Sequence, residues 1–145
     1  MAQDTHSQQL VIFTLGLEQY ALPIGRVQEI IHYQQPRSLV SDDSSVRGVI
    51  NLRGRIVPVH DLGVRMGVEA EVGGHGKIVV LESDDQTVGV MVDSVDEVLT
   101  VADDQVERAP TADDATLVDS IAKIGDRLVI LLNPSAVIGT LPLAA

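Results

Sequence analysis

The sequence predicts a mostly β protein of eight to ten short strands, arranged as barrels or a sandwich, and three observations predict it. Val and Ile number 33 against 26 for Leu plus Ala, and β-branched side chains fit a pleated sheet better than a helix. Short apolar runs recur at close intervals between Gly, Pro, Asn and Asp turn residues. Only Phe13, Tyr20 and Tyr33 are aromatic and Trp is absent, so the core has to be aliphatic. A chain of 145 residues has room for one compact domain, or for two small subdomains sharing a core.

Residues 1–8 are polar and read as a frayed, disordered terminus, leaving 9–145 as the folded domain. Leu10 to Leu15 is apolar on both faces and predicts a strand buried on both sides; Gly16 turns the chain into a second short strand at Tyr20 to Leu22. Pro23 suits a first helical position, and Ile24, Val27, Ile30 and Ile31 follow at helical spacing, so one short helical turn is expected over 23–29. Gln34 to Ser45 reads as an irregular loop with at most a short strand near Leu39. Val46 to Leu52 and Arg55 to His60 form a hairpin about Arg53-Gly54, with Pro58 placing its second arm at a sheet edge or bulge. Gly67 to Gly76 is a loop with four glycines. Three strands follow at 77–82, 87–92 and 95–101, then a loop over 102–116, a last hairpin at 118–124 and 127–132 about Gly125-Asp126, and a short helix opening at Pro134. No internal repeat stands out from the residues themselves.

Composition excludes several classes of function. Ten Lys and Arg against 21 Asp and Glu give a net charge of −11, which opposes docking on nucleic acid or an anionic bilayer, and there are too few aromatics to stack single-stranded bases. Without cysteine there is no disulfide, thiolate metal site or Cys nucleophile. The beginning has no basic segment ahead of an apolar stretch, and no apolar run is long enough to span a bilayer, so a cytosolic protein is expected. Gly73-Gly74-His75-Gly76-Lys77 lacks the glycine and hydroxyl positions of a phosphate loop. His6, His32, His60 and His75 have no metal-ligand spacing, and the Asp pairs at 42–43, 84–85, 103–104 and 113–114 fall in turns without the spacing of a calcium loop. His60-Asp61 could serve a small ligand-binding or hydrolytic barrel as base and orienter, but neighbours on a strand point to opposite faces. No cofactor is implied.

One charge feature remains. Arg47, Arg53, Arg55 and Arg65 stand against Asp61 alone between Val46 and Gly67, a local net of +3 in a chain whose total is −11. A basic hairpin on an acidic protein suits protein docking; the alternative is that these arginines pair with the protein's own acids.

The stretch Arg47-Gly48-Val49-Ile50-Asn51-Leu52-Arg53-Gly54-Arg55-Ile56-Val57-Pro58-Val59-His60-Asp61-Leu62 resembles the signature of the chemotaxis coupling protein family, the CheW-like fold. Phe13-Thr14-Leu15-Gly16, Val27-Gln28-Glu29-Ile30, Val88 to Asp93, Gln105 to Pro110 and Gly125 to Leu131 match as well, so the resemblance covers 9–139. It implies two five-stranded SH3-like β-barrels side by side with a hydrophobic seam between them, and a non-enzymatic adaptor linking the cytoplasmic tips of methyl-accepting chemoreceptors to the regulatory domain of the histidine kinase CheA. The receptor-facing groove it implies comprises Ile24, Val27, Glu29, Ile30, Gly48, Arg53, Ile78 and Val79. The kinase contact would use Gln34, Gln35, Pro36, Arg37, Ser38 and Leu39. The chain departs from the family at Asp43-Ser44-Ser45-Val46, where a Pro and a bulky residue are frequent, and at Gly63, where a basic residue is common. Coupling in a parallel system such as pilus-based motility is equally compatible. For each apolar groove position, plain core packing is the competing assignment.

Overall fold

The computed structural model describes residues 7–38, 46–67, 76–83, 86–109 and 117–139. The chain runs β1 (Ser7–Leu15), β2 (Glu18–Pro23), a 3-10 turn (Ile24–Arg26), β3 (Val27–His32), β4 (Val46–Leu52), β5 (Arg55–Asp61), α1 (Leu62–Met66), β6 (Lys77–Ser83), β7 (Gln86–Val92), β8 (Ser94–Ala102), a second 3-10 turn (Asp103–Gln105), β9 (Val106–Arg108), β10 (Val118–Ile124), β11 (Arg127–Leu132) and α2 (Pro134–Gly139). The strands form two sheets, of order β8-β1-β2-β11-β10-β9 and β3-β6-β7-β5-β4. The outermost strands of the first, β8 and β9, are joined by the second 3-10 turn alone. Those of the second, β3 and β4, are connected through Arg37, whose N–H and C=O both bond Val49 at 2.8 and 2.9 Å. Each sheet therefore curls back on itself, giving the two expected barrels, the first with a sixth strand, β9.

Strand alternation sorts the apolar residues into three cores. Leu10, Ile12, Ala21, Val101, Ala122, Val129 and Leu131 fill barrel one. Ile50, Val57, Val59, Ile78, Val80 and Met91 fill barrel two. The intervening residues of the same strands meet between the barrels: Phe13, Leu15, Tyr20, Leu22 and Leu132 from one side, Val79, Leu81, Val88, Val90 and Val92 from the other. Leu62 of α1 and Val137 and Ile138 of α2 close this seam. Phe13 and Tyr20 stack there with ring centroids 6.1 Å apart.

The two halves of the chain repeat one pattern, which residue identities conceal. The pairing of Phe13 with Tyr20 and Val95 in barrel one is matched by that of Leu81 with Val88 and Val27 in barrel two. The hairpins β4-β5 and β10-β11 share a register, with a bulge at the same place, between Val46 and Gly48 and between Val118 and Ser120. Each then joins its barrel by a parallel ladder, β5 on β7 and β11 on β2, and each leads into a short helix. The first half thus supplies β1 and β2 to barrel one and β3, β4 and β5 to barrel two; the second supplies β6 and β7 to barrel two and β8 to β11 to barrel one.

Four expectations need correction. The helical turn over 23–29 is only the 3-10 turn Ile24–Arg26, after which β3 begins. A bulge between Val27 and Glu29 directs Val27 to the seam and Ile31 into barrel two, which produced the helix-like spacing in an extended segment. Pro58 lies not on an edge but on β5, between β7 and β4, while the expected alternative of a bulge holds for this arm: one interrupts the β4-β5 ladder at Val59 and His60, beside Pro58. Val49 spends its backbone groups on Arg37, so its pairing with Pro58 exchanges no hydrogen bond, and the parallel ladder to β7 starts only at Val59; the missing N–H falls outside both ladders. The loop over 102–116 contains the second 3-10 turn and β9. Finally, β1 starts at Ser7, inside the segment read as frayed, with Ser7 and Gln8 opposite Ala102 and Val101.

Gly48 is where barrel two closes. Its φ of 142° is one that side chains rarely adopt, and a Cβ there would lie 2.0 Å from the Arg37 carbonyl oxygen. Gly48→Ala is therefore expected to lower unfolding free energy by about 2 kcal/mol or more. Urea denaturation checks this, with faster amide exchange at Val49 as the local signature.

Candidate docking surface

The tip of the β4-β5 hairpin is a two-residue turn in which both Arg53 (φ 54°) and Gly54 (φ 84°) are left-handed, the twist that antiparallel arms require. Asn51 fixes it by accepting the Gly54 N–H on Oδ1 at 2.8 Å. Arg55 pins the second arm to β7 through Thr87 Oγ1, at 2.7 Å. Arg53 is the sole non-glycine residue with positive φ among the described residues, at a position that Gly or Asn fills with less strain. Presenting a side chain there carries a backbone cost that glycine would avoid.

That side chain makes a bidentate pair with Glu29 on β3, Nη1 to Oε2 and Nη2 to Oε1, the latter at 2.8 Å. The hydrogen bond from the Arg53 guanidinium holds the Glu29 carboxyl below the usual glutamate value, against an opposing effect of desolvation and with a further lowering by the guanidinium's charge. The pair ties the two outer strands of barrel two across its mouth. The Arg53 side chain is 73% exposed and that of Glu29 19%, so the carboxylate is recessed and positions a guanidinium that faces solvent.

The other predicted groove residues divide. Ile24 and Ile30 are exposed, and Val27 is partly buried against the seam core. Ile30 stands opposite Val79 in register, on the seam-facing side of barrel two, whereas Glu29 stands opposite Val80 on the face turned into the barrel. Ile78 and Val79 are fully buried, one in barrel two and one in the seam, which corrects their assignment to a groove: they have no surface to offer. Gly48 is buried and serves the crossing of Arg37. Of the predicted kinase segment, Gln34, Gln35, Arg37 and Ser38 are exposed and Pro36 is partly so; Leu39 lies outside the described residues. The strip is anchored by Tyr33 N–H to the Gly76 carbonyl at 3.1 Å and by the Arg37 bridge.

Arg53 and Arg47 of the hairpin region pair with acids of the protein's own. Besides Arg53, Arg47 donates to Asp61 Oδ2 at 2.8 Å, while Asp61 Oδ1 caps α1 at the Val64 N–H. Arg65 donates to the carbonyls of Val137 and Ala136, tying α1 to α2. Asp61 is thus committed to structure and His60 is 0% exposed, so no substrate reaches that pair. Among the described residues no group of three His, Cys, Asp or Glu is placed to hold a metal ion, and no helix is long and apolar enough to cross a membrane.

Barrel one carries a related rim that sequence reasoning missed. Arg127, at the start of β11, pairs with Glu97 on β8 at 2.9 Å. Beside it Asp96 accepts from Thr14 Oγ1, Gln19 Nε2 and Ser94 Oγ at 2.6, 3.0 and 2.8 Å. Glu97 is the repeat equivalent of Glu29, and Val98 and Leu128 are exposed as Ile30 and Ile56 are. The signal was present: Val27-Gln28-Glu29-Ile30-Ile31 and Val95-Asp96-Glu97-Val98-Leu99 align without a gap.

Two barrels around an aliphatic seam, with an oriented guanidinium at an exposed rim, define a β-barrel docking module. The chain belongs to the CheW-like domain family, whose pattern matches residues 9–141. It is 33% identical over 137 residues to a chemotaxis protein CheW of Klebsiella aerogenes, covering 92% of this chain and 82% of that one. Identity is 30% to the Bacillus subtilis chemotaxis protein CheW, covering 90% and 86%. The crystal structure of the scaffolding protein TtCheW from Thermoanaerobacter tengcongensis superposes with a TM-score of 0.81 at 30% identity, over 88% of this chain and 90% of that chain.

Burial raises the Asp96 carboxyl, but the bonds from Thr14, Gln19 and Ser94 and the charge of Arg127 outweigh it and hold the group below 3.8. A depressed folded-state value contributes stability above the unfolded value and loses it as pH falls through the folded one. Asp96→Asn should therefore lower Tm at pH 7 and flatten the fall in Tm below about pH 4, as calorimetry across pH 2–7 would record.

Proposed function

We propose that this chain is a non-enzymatic adaptor that couples the cytoplasmic tips of methyl-accepting chemoreceptors to the regulatory domain of the histidine kinase CheA, working in the cytoplasm at the inner membrane through those receptors. The observation that carries this reading is Arg53, held in a strained backbone conformation and oriented by Glu29 while its outer face meets solvent. A receptor tip is an amphipathic helical hairpin. Ile24, Val27 and Ile30 line the seam side of barrel two and would take its apolar stripe, while the guanidinium, with five N–H donors of which the pair uses two, would fix its register. The exposed strip Gln34 to Ser38, continuing into Leu39, would meet the kinase's barrel, its backbone already stapled across Gly48.

The similarity to chemotaxis proteins CheW and to the scaffolding protein TtCheW supports this reading. So do the burial of His60 and the engagement of Asp61 by Arg47, which withdraw that pair from the surface.

The test is a double-mutant cycle on Glu29 and Arg53, read on stability and on receptor affinity. Arg53→Glu is expected to leave Tm within about 5 °C, since the pair is solvent-exposed, and to abolish receptor-dependent activation of the kinase in a reconstituted mixture. Adding Glu29→Arg should recover part of the lost stability without restoring receptor binding. Full kinase activation by a folded Arg53→Glu protein would overturn the assignment of this rim.

A further inference from the structure

We infer that this chain can exchange halves with a second copy of itself, each barrel of the resulting dimer being completed by the partner's strands. The barrels are already products of exchange within one chain. β1 and β2 of the first half complete barrel one, whose other strands come from the second half, and β6 and β7 of the second half complete barrel two. The joins between halves are ladders: β1 on β8 over Ser7 to Thr14, β3 on β6 over Val27 to His32, and the short parallel ladders of β5 with β7 over Val59 to Asp61 and of β11 with β2 at Ile130 and Leu131. Nothing in these ladders requires both halves to belong to one molecule.

The covalent tie between the halves is the stretch from Gly67 to Gly76, ten residues with four glycines and no proline. Fully extended, ten residues span roughly 35 Å, enough to deliver a half-chain to an adjacent molecule. An exchanged dimer would keep every ladder, core cluster and ion pair of the monomer. The balance between the two forms then depends on connector entropy and protein concentration rather than on new contacts. Such a dimer presents two Glu29–Arg53 rims on one particle, each standing on β3 and β4-β5 of one chain and backed by β6 and β7 of the other.

The absence of cysteine makes the test clean. Gln9 on β1 and Thr100 on β8 are exposed, face each other in register and belong to different halves. Gln9→Cys and Thr100→Cys full-length chains are mixed, unfolded together in guanidinium chloride, refolded at increasing concentration and oxidised. A disulfide-linked dimer with an unchanged circular dichroism spectrum is expected, its yield rising with concentration and far exceeding that from the same two proteins mixed without unfolding. The double variant Gln9→Cys/Thr100→Cys should close its disulfide within one chain, confirming the register. Internal closure in the double variant with no linked dimer from the co-refolded pair overturns the inference, as does an equal dimer yield from the never-unfolded mixture.

Discussion

The seam between the barrels constrains everything else in this structure. A strand that belongs to a barrel and also borders its neighbour has no solvent face, so β1, β2, β6, β7 and β11 have to be apolar at successive positions rather than alternate ones. Leu10-Val11-Ile12-Phe13 and Ile78-Val79-Val80-Leu81 are the direct result, each run dividing its side chains between a barrel interior and the seam. Valine, isoleucine and leucine suit this because both faces demand close packing over short distances. Phe13 and Tyr20, two of the three aromatic residues, sit at the seam, and Tyr33 packs against the core of barrel two.

Where the sequence was legible, one physical rule acted alone. Doubly buried strands declared themselves as uninterrupted apolar runs, and the Arg53-Gly54 and Gly125-Asp126 turns declared their hairpins through backbone preference. The misreadings occurred where two rules overlapped. In Val27 to Ile31 a bulge changed which face successive residues occupy, so a strand acquired helical spacing. At Pro58 the lost donor argued for an edge, but the Arg37 bridge had drawn the facing backbone groups of Val49 away. Ile78 and Val79 entered the groove by family resemblance although their place in a doubly buried run marked them as core. Conversely, the Glu29–Arg53 contact joins residues 24 apart through the curl of a sheet, and no local pattern could have carried it without the resemblance.

The internal repeat shows what the fold requires and what it leaves open. Only a few identities survive between the hairpins, among them Val46 and Val118, Arg55 and Arg127, and Val57 and Val129, yet register, bulge and following helix are shared. Burial is retained where chemistry is not. The seam position of Leu132 in the second half is taken by His60 in the first, and the N-terminal bond of α1 from Asp61 is answered at α2 by Asn133 Oδ1 accepting from Ser135 N–H. Helix capping and strand closure are thus conserved requirements that different side chains satisfy.

The two rims show how one scaffold yields surfaces of opposite character. In barrel two the acid comes from β3 and the arginine from the turn itself, which lifts the guanidinium to the outermost point of the hairpin. In barrel one the turn residues are Gly125 and Asp126, and the arginine has moved two places along, to the repeat position of Arg55. There Arg127 reaches back toward Gln19 and Glu97, and its charge acts on Asp96. The shift moves the cation from the tip of its hairpin, where it is 73% exposed, to a strand position where it is 42% exposed and shared between Glu97 and Gln19. It also accounts for the backbone at Arg53: the first turn position is left-handed in both hairpins, at Arg53 and at Gly125, so placing a side chain there carries the unfavourable angle. Barrel one avoids that cost by placing glycine in the turn, and in doing so gives up an arginine at its tip.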